Sequence, residues 1–231
     1  MARKDQARYA EGYVSLMIKA ELVNYMGSDL TVVNAARVSF KKESNWEEGE
    51  LNAKDTRLVH YLAEHEHQTP FGHCFATFHV AAPIFVARQL VKHKFLRINE
   101  VSRRYVNDDP EFYHPPKLRA KADDKKQGSG SDLDDPGHHM HNLFTQLSIE
   151  STKQYKYLLN RGVCEEQARM VLPQNTMTEW YWSGSMDAWA DMCNLRLKED
   201  TQYETRIVAA DINEQLSSCW PVSFRALRNS A

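Results

Sequence analysis

The chain has no apolar run long enough to span a bilayer, which excludes a transmembrane-helix anchor. Its first residues, MARKDQARYAEG, lack the apolar core of a signal peptide, so a cytoplasmic setting is expected. Cysteine is sparse: Cys74, Cys164, Cys193 and Cys219 are scattered and form no CxxC pair. That excludes a disulfide scaffold and predicts reduced thiols. There is no GxGxxG, so a Rossmann dinucleotide site has no support. There is no HExxH either, and the histidine groups at 60–79 and 138–141 lack the spacing of a structural zinc site. No metal site is expected. Internal repeats are absent, and the charges nearly cancel, 29 basic against 31 acidic residues for a net −2. Near-neutrality argues against a general polyanion binder.

What the chain does have is an ordinary globular composition, 42% hydrophobic and 26% charged over 231 residues, enough to bury one sizeable core. The reading is one domain over 1–231. A strand is expected within 13–24 and a helix from Leu30 or Thr31, capped by Asp29, with Val32, Ala35, Ala36 and Val38 inward. Leu51, Leu58, Val59 and Leu62 predict a helix over 49–66, stopped by Gln68-Thr69-Pro70. Alternation over 75–80 predicts a strand, and IFVARQLVKH after Pro83 a helix. A long helix is expected over 138–160, with Leu143, Leu147, Tyr155, Leu158 and Leu159 buried and Gly162 closing it. A short helix follows over 165–171. TMTEWYWSG reads as a strand with Trp180, Tyr181, Trp182 and Trp189 in the core, and Ser183 or Ser185 capping the next helix. The last helix spans about 201–219. Residues 117–137, rich in charge, Gly and Ser, read as a mobile surface insertion.

The rest is organised around Gln89–Tyr105, QLVKHKFLRINEVSRRY. Arg88, Lys92, Lys94, Arg97, Arg103 and Arg104 face one acid, Glu100, giving a local +5. Such a concentration on a near-neutral chain calls for an anionic partner or a solvated face. Asn99, Glu100 and Ser102 add the directional groups a small polar ligand needs. Three classes of function fit: a phosphate-ligand enzyme, a single-stranded nucleic-acid binder using 88–105 with Phe95 and Tyr105 as stacking surfaces, and an oligomerisation domain. The last leaves the clustered cations without a use.

The order of these residues resembles the signature of flavin-dependent thymidylate synthases: arginine-histidine-arginine, seven residues, then serine. Here it reads Lys92-His93-Lys94, seven residues, Ser102. HQTPFGH at 67–73, FHVAAPIFVARQ at 78–89, ARMVLP at 168–173 and NLRLKEDTQYETR at 194–206 resemble that family too, in its order. Several ordered blocks are stronger evidence than one motif.

The resemblance implies an α/β fold of the α+β type, with a central, mostly antiparallel sheet flanked by long helices. It also implies a homotetramer with active sites shared between subunits, and no nucleic-acid or membrane partner. The implied reaction is reductive methylation of deoxyuridine monophosphate (dUMP) to thymidylate (dTMP). Methylenetetrahydrofolate, a folate co-substrate, donates the carbon, and NADPH-reduced FAD is the hydride source. By resemblance dUMP falls to Gln89, Lys92, Glu100, Val101, Ser102, Arg103, Arg104, Arg169 and Arg196, with Arg196 the catalytic charge against the uracil. FAD falls to Thr31, His67, Thr69, Lys92, His93, Lys94, Glu100, Ser185, Asp187 and Asp191. The chain departs from the family in places. Lysines replace both signature arginines, keeping the charge and losing the bidentate fork. Gly72 stands where many relatives have glutamate, and Ser185 and Asp187 where many have asparagine and arginine. No thiol is needed in this route.

Overall fold

The structure, a computed structural model, describes residues 17–106, 108–123 and 128–229. Within them lies a four-stranded antiparallel sheet in the order β1-β2-β4-β3, built from β1 (Lys19–Met26), β2 (Phe75–Pro83), β3 (Arg97–Glu100) and β4 (Met177–Ser185). The helices are α1 (Asp29–Arg37), α2 (Ala53–Glu64), α3 (Ile84–Leu90), α4 (His139–Asn160), α5 (Glu165–Ala168), α6 (Met186–Arg196), α7 (Tyr203–Cys219) and α8 (Ser223–Asn229). The architecture is the expected α+β one.

The centre of the sheet follows from composition. Strand β2 alternates half-buried Phe75, Thr77 and His79 with buried Ala76, Phe78 and Val80, and it pairs along its whole length with β4, from Phe75↔Ser185 to Pro83↔Met177. Trp180, Trp182 and Trp189 meet Phe78 and Phe71 in one buried cluster. Strand β1 is an edge, and α7 satisfies its outward backbone at Ala20 and Leu22. Asp211 Oδ2 accepts from the Ala20 N–H at 3.1 Å, and the Gln215 amide both accepts from the Leu22 N–H and donates to the Ala20 carbonyl. That covered half of the edge has no free ladder for another chain to join, whereas Tyr25 and Met26 beyond it are exposed.

Several local expectations are corrected. The first strand begins at Lys19; positions 13–16 of the expected strand lie outside the described residues. Ser28, not Asp29, caps α1, in a reciprocal box with Thr31. Asp29 is instead buried, and its carboxylate accepts from the Val222 and Ser223 N–H groups at 3.1 and 2.8 Å, starting α8. That terminal helix was not expected after Pro221. Val33 is buried in place of Val38, which is 69% exposed because the helix ends before it in a 3-10 turn. Helix α2 is shorter than 49–66, since Asn52 caps it by accepting from the Lys54 and Asp55 N–H groups. Tyr181 is 53% exposed: it shares β4's outer face with His79, 5.4 Å away across the pair.

Helix α4 departs most. Its length is as expected, and Gly162 (φ +81) closes it with Val163 N–H to Leu158 O and Gly162 N–H to Leu159 O. Its apolar residues, however, do not turn inward. Leu143 and Leu147 are 59% and 63% exposed, and Phe144, Ile149 and Tyr157 are exposed beside them; only Ser148 and Tyr155 are buried. A helical apolar stripe fixes which face is apolar, not which molecule covers it.

The flanks of the 117–137 segment pair with each other: Ala120 N–H to Ser131 O and Leu133 N–H to Leu118 O, both 2.8 Å. Arg119 donates to both oxygens of buried Glu204 on α7 at 2.7 and 3.0 Å and lies over the Tyr203 ring at 4.9 Å.

Candidate active site

The basic stretch folds as the end of α3, a turn and β3. The turn is held by close contact with β4. A side chain at Gly184 would meet Leu96 Cδ2 at 2.2 Å, so only glycine lets Leu96 bury itself there, with Phe95 at φ +64 turning the chain. That contact fixes His93 and Lys94 at the sheet's edge.

Behind the turn stands Arg196, the last residue of α6. Its Nε donates to His93 Nε2 at 2.8 Å and its Nη2 to the Gln89 carbonyl at 3.2 Å. A guanidinium only donates, so His93 is a neutral ring with its proton on Nδ1. Burial first, then the Arg196 charge, pushes the His93 pKa down to about 4. Burial also lowers that of Arg196. The result is a cation held in place by neutral acceptors, with no carboxylate paired to it among the described residues.

Arg196 opens into a cleft of about 590 Å³ lined by Gln89, Lys92, Arg119, Gly128, Ser129, Asp200, Thr201, Gln202 and Tyr203. Gln89 Oε1 is buried without a partner. A buried acceptor left open is costly, and a ligand N–H would satisfy it. Of the expected substrate residues, the structure therefore brings Gln89, Lys92 and Arg196 together. Arg119 and Tyr203 were missed. Tyr203 lies inside the NLRLKEDTQYETR block, whereas nothing in sequence links Arg119 to Glu204, 85 residues on.

The other residues expected at the substrate do not line this cleft. Ser102 Oγ accepts from Arg104 Nε at 3.2 Å, Arg103 donates to the Asp108 carbonyl at 3.1 Å, and the Val101 N–H is taken by the Glu179 carbonyl. Arg169 is exposed and donates to the Glu166 carbonyl. Glu100 Oε1 accepts from Thr178 Oγ1 at 2.8 Å.

The expected cofactor residues fall in three places. Lys92, His93 and Lys94 lie on the turn, and among the described residues neither lysine forms an ion pair. Thr31 lines a second cleft of about 520 Å³ with Ser28, Asn34 and His73, while His67 and Thr69 are exposed beyond the end of α2. Ser185 stands at the start of α6 without a side-chain cap; the Met186 N–H is taken by the Cys74 carbonyl at 2.9 Å, which leaves only the next N–H groups of the first turn for an anion. Asp187 Oδ1 is buried and unpartnered, 4.0 Å from where a side chain at Gly72 would begin. Gly72 and Asp187, two of the departures from the family pattern, thus face each other. Burial, then Asp187 one turn earlier, pushes the Asp191 carboxyl up. Two acids here suit ligand hydroxyls; the donors suited to a phosphate are Lys92, Lys94 and the remaining N–H groups of the first turn of α6.

The cleft and the turn both lie on the part of the chain that resembles known proteins. Residues 21–222 match the family model described as thymidylate synthase complementing protein. The chain belongs to that family. Among curated members, the flavin-dependent thymidylate synthase of Kosmotoga olearia is 39% identical over 211 residues, 91% of this chain and 90% of the relative. That of Thermus thermophilus is 38% identical over 206 residues, 89% and 73% of the two chains. Among solved structures, the UMP/dUMP methylase PolB of Streptomyces cacaoi bound with 5-Br dUMP superposes with a TM-score of 0.81 at 30% identity, covering 92% of this chain and 95% of that one.

The pair predicts a pH response. The folded pKa of His93, about 4, lies below its ordinary 6.5, so the unfolded chain takes up the proton first. Stability is therefore full above pH 6.5 and falls as the pH drops toward about 4. The unfolding midpoint should fall across that window, and His93→Gln, which keeps an uncharged acceptor, should flatten the fall. The same slope in both proteins would contradict the assignment.

Proposed function

We propose that the protein makes thymidylate by flavin-dependent reductive methylation of dUMP, with methylenetetrahydrofolate as carbon donor and NADPH as the reductant of bound FAD. The observation that carries this reading is the Arg196 guanidinium, held by neutral His93 in a basic cleft beside the open Gln89 acceptor. In this reading the uracil lies against Arg196. Its ring gains electron density as it is activated at C5, and a fixed cation in a partly buried site stabilises that charge without reorganising. Gln89 Oε1 accepts a uracil or sugar donor, and Lys92 takes phosphate.

Bound, the reduced flavin supplies the hydride that completes the methyl group. Lys92, His93 and Lys94 would hold it with Thr31, His67, Thr69, Glu100, Ser185, Asp187 and Asp191. With lysine at 92 and 94, its phosphates are met by point charges and not by a guanidinium fork.

The second half of the nucleotide set, Ser102, Arg103, Arg104 and Arg169, would reach the cleft from another subunit of a homotetramer. Two observations support this reading: those residues do not line their own chain's cleft, and α4 exposes an apolar face. The exposed aromatics Phe95 and Tyr105 fit a base-stacking surface, but family membership favours the enzyme over a nucleic-acid binder.

The test is direct. FAD-loaded protein given NADPH, methylenetetrahydrofolate and dUMP should form thymidylate, measured by chromatography; no product from preparations holding stoichiometric flavin would overturn the reading. Lys92→Ala should weaken nucleotide and flavin binding together, each by about tenfold, the scale of one charge-assisted contact. Titrations that lose affinity for only one of the two would show that Lys92 serves only that ligand.

A further inference from the structure

Outside the cleft, one cluster of ligating side chains has no use in thymidylate synthesis. It sits where the 3-10 turn Pro136–His138 leads into α4. Gly137 (φ +77) and His138 (φ +54) both take the left-handed conformation, and the His138 N–H donates to the Asp135 carbonyl at 3.0 Å. This turn folds His138 back over Asp135, while the first turn of α4 brings His141 to the same place. One ligand atom from each of Asp135, His138 and His141 lies within 4.8 Å of the others.

The partners of these groups leave an opening. Asp135 accepts from the Met140 N–H through Oδ1 and the His141 N–H through Oδ2, both at 3.1 Å, and its side chain is only 6% exposed. His141 Nδ1 stands 2.7 Å from Asp135 Oδ2, and its Nε2 stands 3.1 Å from the Pro115 carbonyl. A carbonyl only accepts, so Nε2 carries a proton. That leaves Nδ1 and Asp135 Oδ2, 2.7 Å apart, sharing one proton, which a metal ion would displace on binding. A ring N–H fixed by a backbone carbonyl is the outer-shell arrangement of metal-bound histidine, with Nδ1 as the ligand atom. His138 is exposed, with its ring edge-on to His141 at 5.7 Å, and has no side-chain hydrogen bond among those of the described residues.

We propose that Asp135, His138 and His141 bind a divalent transition-metal ion, zinc by preference, which clips the 115–138 connection to the head of α4. Two imidazoles and one carboxylate suit zinc, with water as the fourth ligand. Tetrahedral donors about 2.1 Å from zinc stand about 3.4 Å apart, so the exposed His138 moves inward and His141 Nδ1 draws back from Asp135 Oδ2, now 2.7 Å away, as the ion enters. The spacing D-x-x-H-x-x-H carries no familiar signal, which is why no metal site is expected from the histidines at 138–141 in the sequence. The backbone reversal at Gly137 makes them a cluster. The inference does not depend on the proposed reaction.

The experiment uses tag-free, flavin-loaded full-length protein stripped of metal by a chelator and titrated with zinc, following heat and the unfolding midpoint. The parent should bind one equivalent with micromolar affinity, and the midpoint should rise with zinc concentration. His138→Ala should weaken binding at least about tenfold and abolish the rise, leaving the metal-free midpoint unchanged because its side chain is exposed. His141→Ala should also lose the zinc, whereas His139→Ala should behave as the parent. Failure of the parent to bind micromolar zinc would overturn the proposal, leaving a proton between Asp135 and His141. So would His138→Ala binding zinc as the parent does, which would place the ion on other surface histidines.

Discussion

Arg196→Ala should lower kcat about 10²-fold, the scale for losing one fixed charge-stabilising donor. The substitution removes the cation that faces the cleft and leaves the fold intact. Arg196 is the last residue of α6, half-buried, and its partners are the His93 ring and the Gln89 carbonyl, not a buried acid. Nucleotide affinity should fall less than turnover, because Gln89 and Lys92 remain. Arg196→Lys should recover little, since a single ammonium cannot hold both the ring nitrogen and the carbonyl while facing the substrate. The measurement is kcat and nucleotide affinity on protein of equal flavin content. A variant that turns over like its parent removes Arg196 from the chemistry.

Trp189→Ala should cost about 3–5 kcal/mol, the range for deleting a fully buried aromatic. Trp189 is 0% exposed. Its ring meets Phe78 at 5.1 Å and Trp182 at 5.0 Å, both edge-on, and its Nε1 donates to the Ala76 carbonyl at 3.3 Å. It is the pin between α6 and the central strands, so its loss should also loosen Arg196 two turns on. Urea unfolding at fixed protein and flavin concentration measures the cost. A loss under about 1 kcal/mol would mean that the tryptophan cluster does not hold α6 to the sheet.

What could be read in the sequence follows from locality. Alternation in β2 and the aromatic run of β4 are signals carried by neighbouring residues, and both strands formed where expected. The signature around His93 likewise lies on one continuous turn. Other features depend on distant partners. Asp29 reads as a helix cap, yet its carboxylate serves α8, nearly two hundred residues away. Leu143 and Leu147 have the spacing of buried residues, but no part of the described chain covers them. Within the site, Gln89, Lys92 and Arg196 converge as the resemblance implies, and Arg119 joins them only through its pair with Glu204.

The four cysteines give the central claim its sharpest test. A thiol nucleophile must be exposed to substrate and activated. Burial, with Asp29 adding to it, pushes the Cys74 thiol up to about 12; burial does the same for Cys193 and raises Cys219. Cys164, the exposed one, lies before α5 and does not line the Arg196 cleft. The decisive measurement is thymidylate formed per bound flavin in the parent and in a variant with all four cysteines replaced by alanine or serine. Equal product per flavin is the result expected of a route in which Arg196 activates the ring and no protein thiol bonds to it. Abolished turnover with flavin occupancy intact, restored by returning a single cysteine, would contradict it.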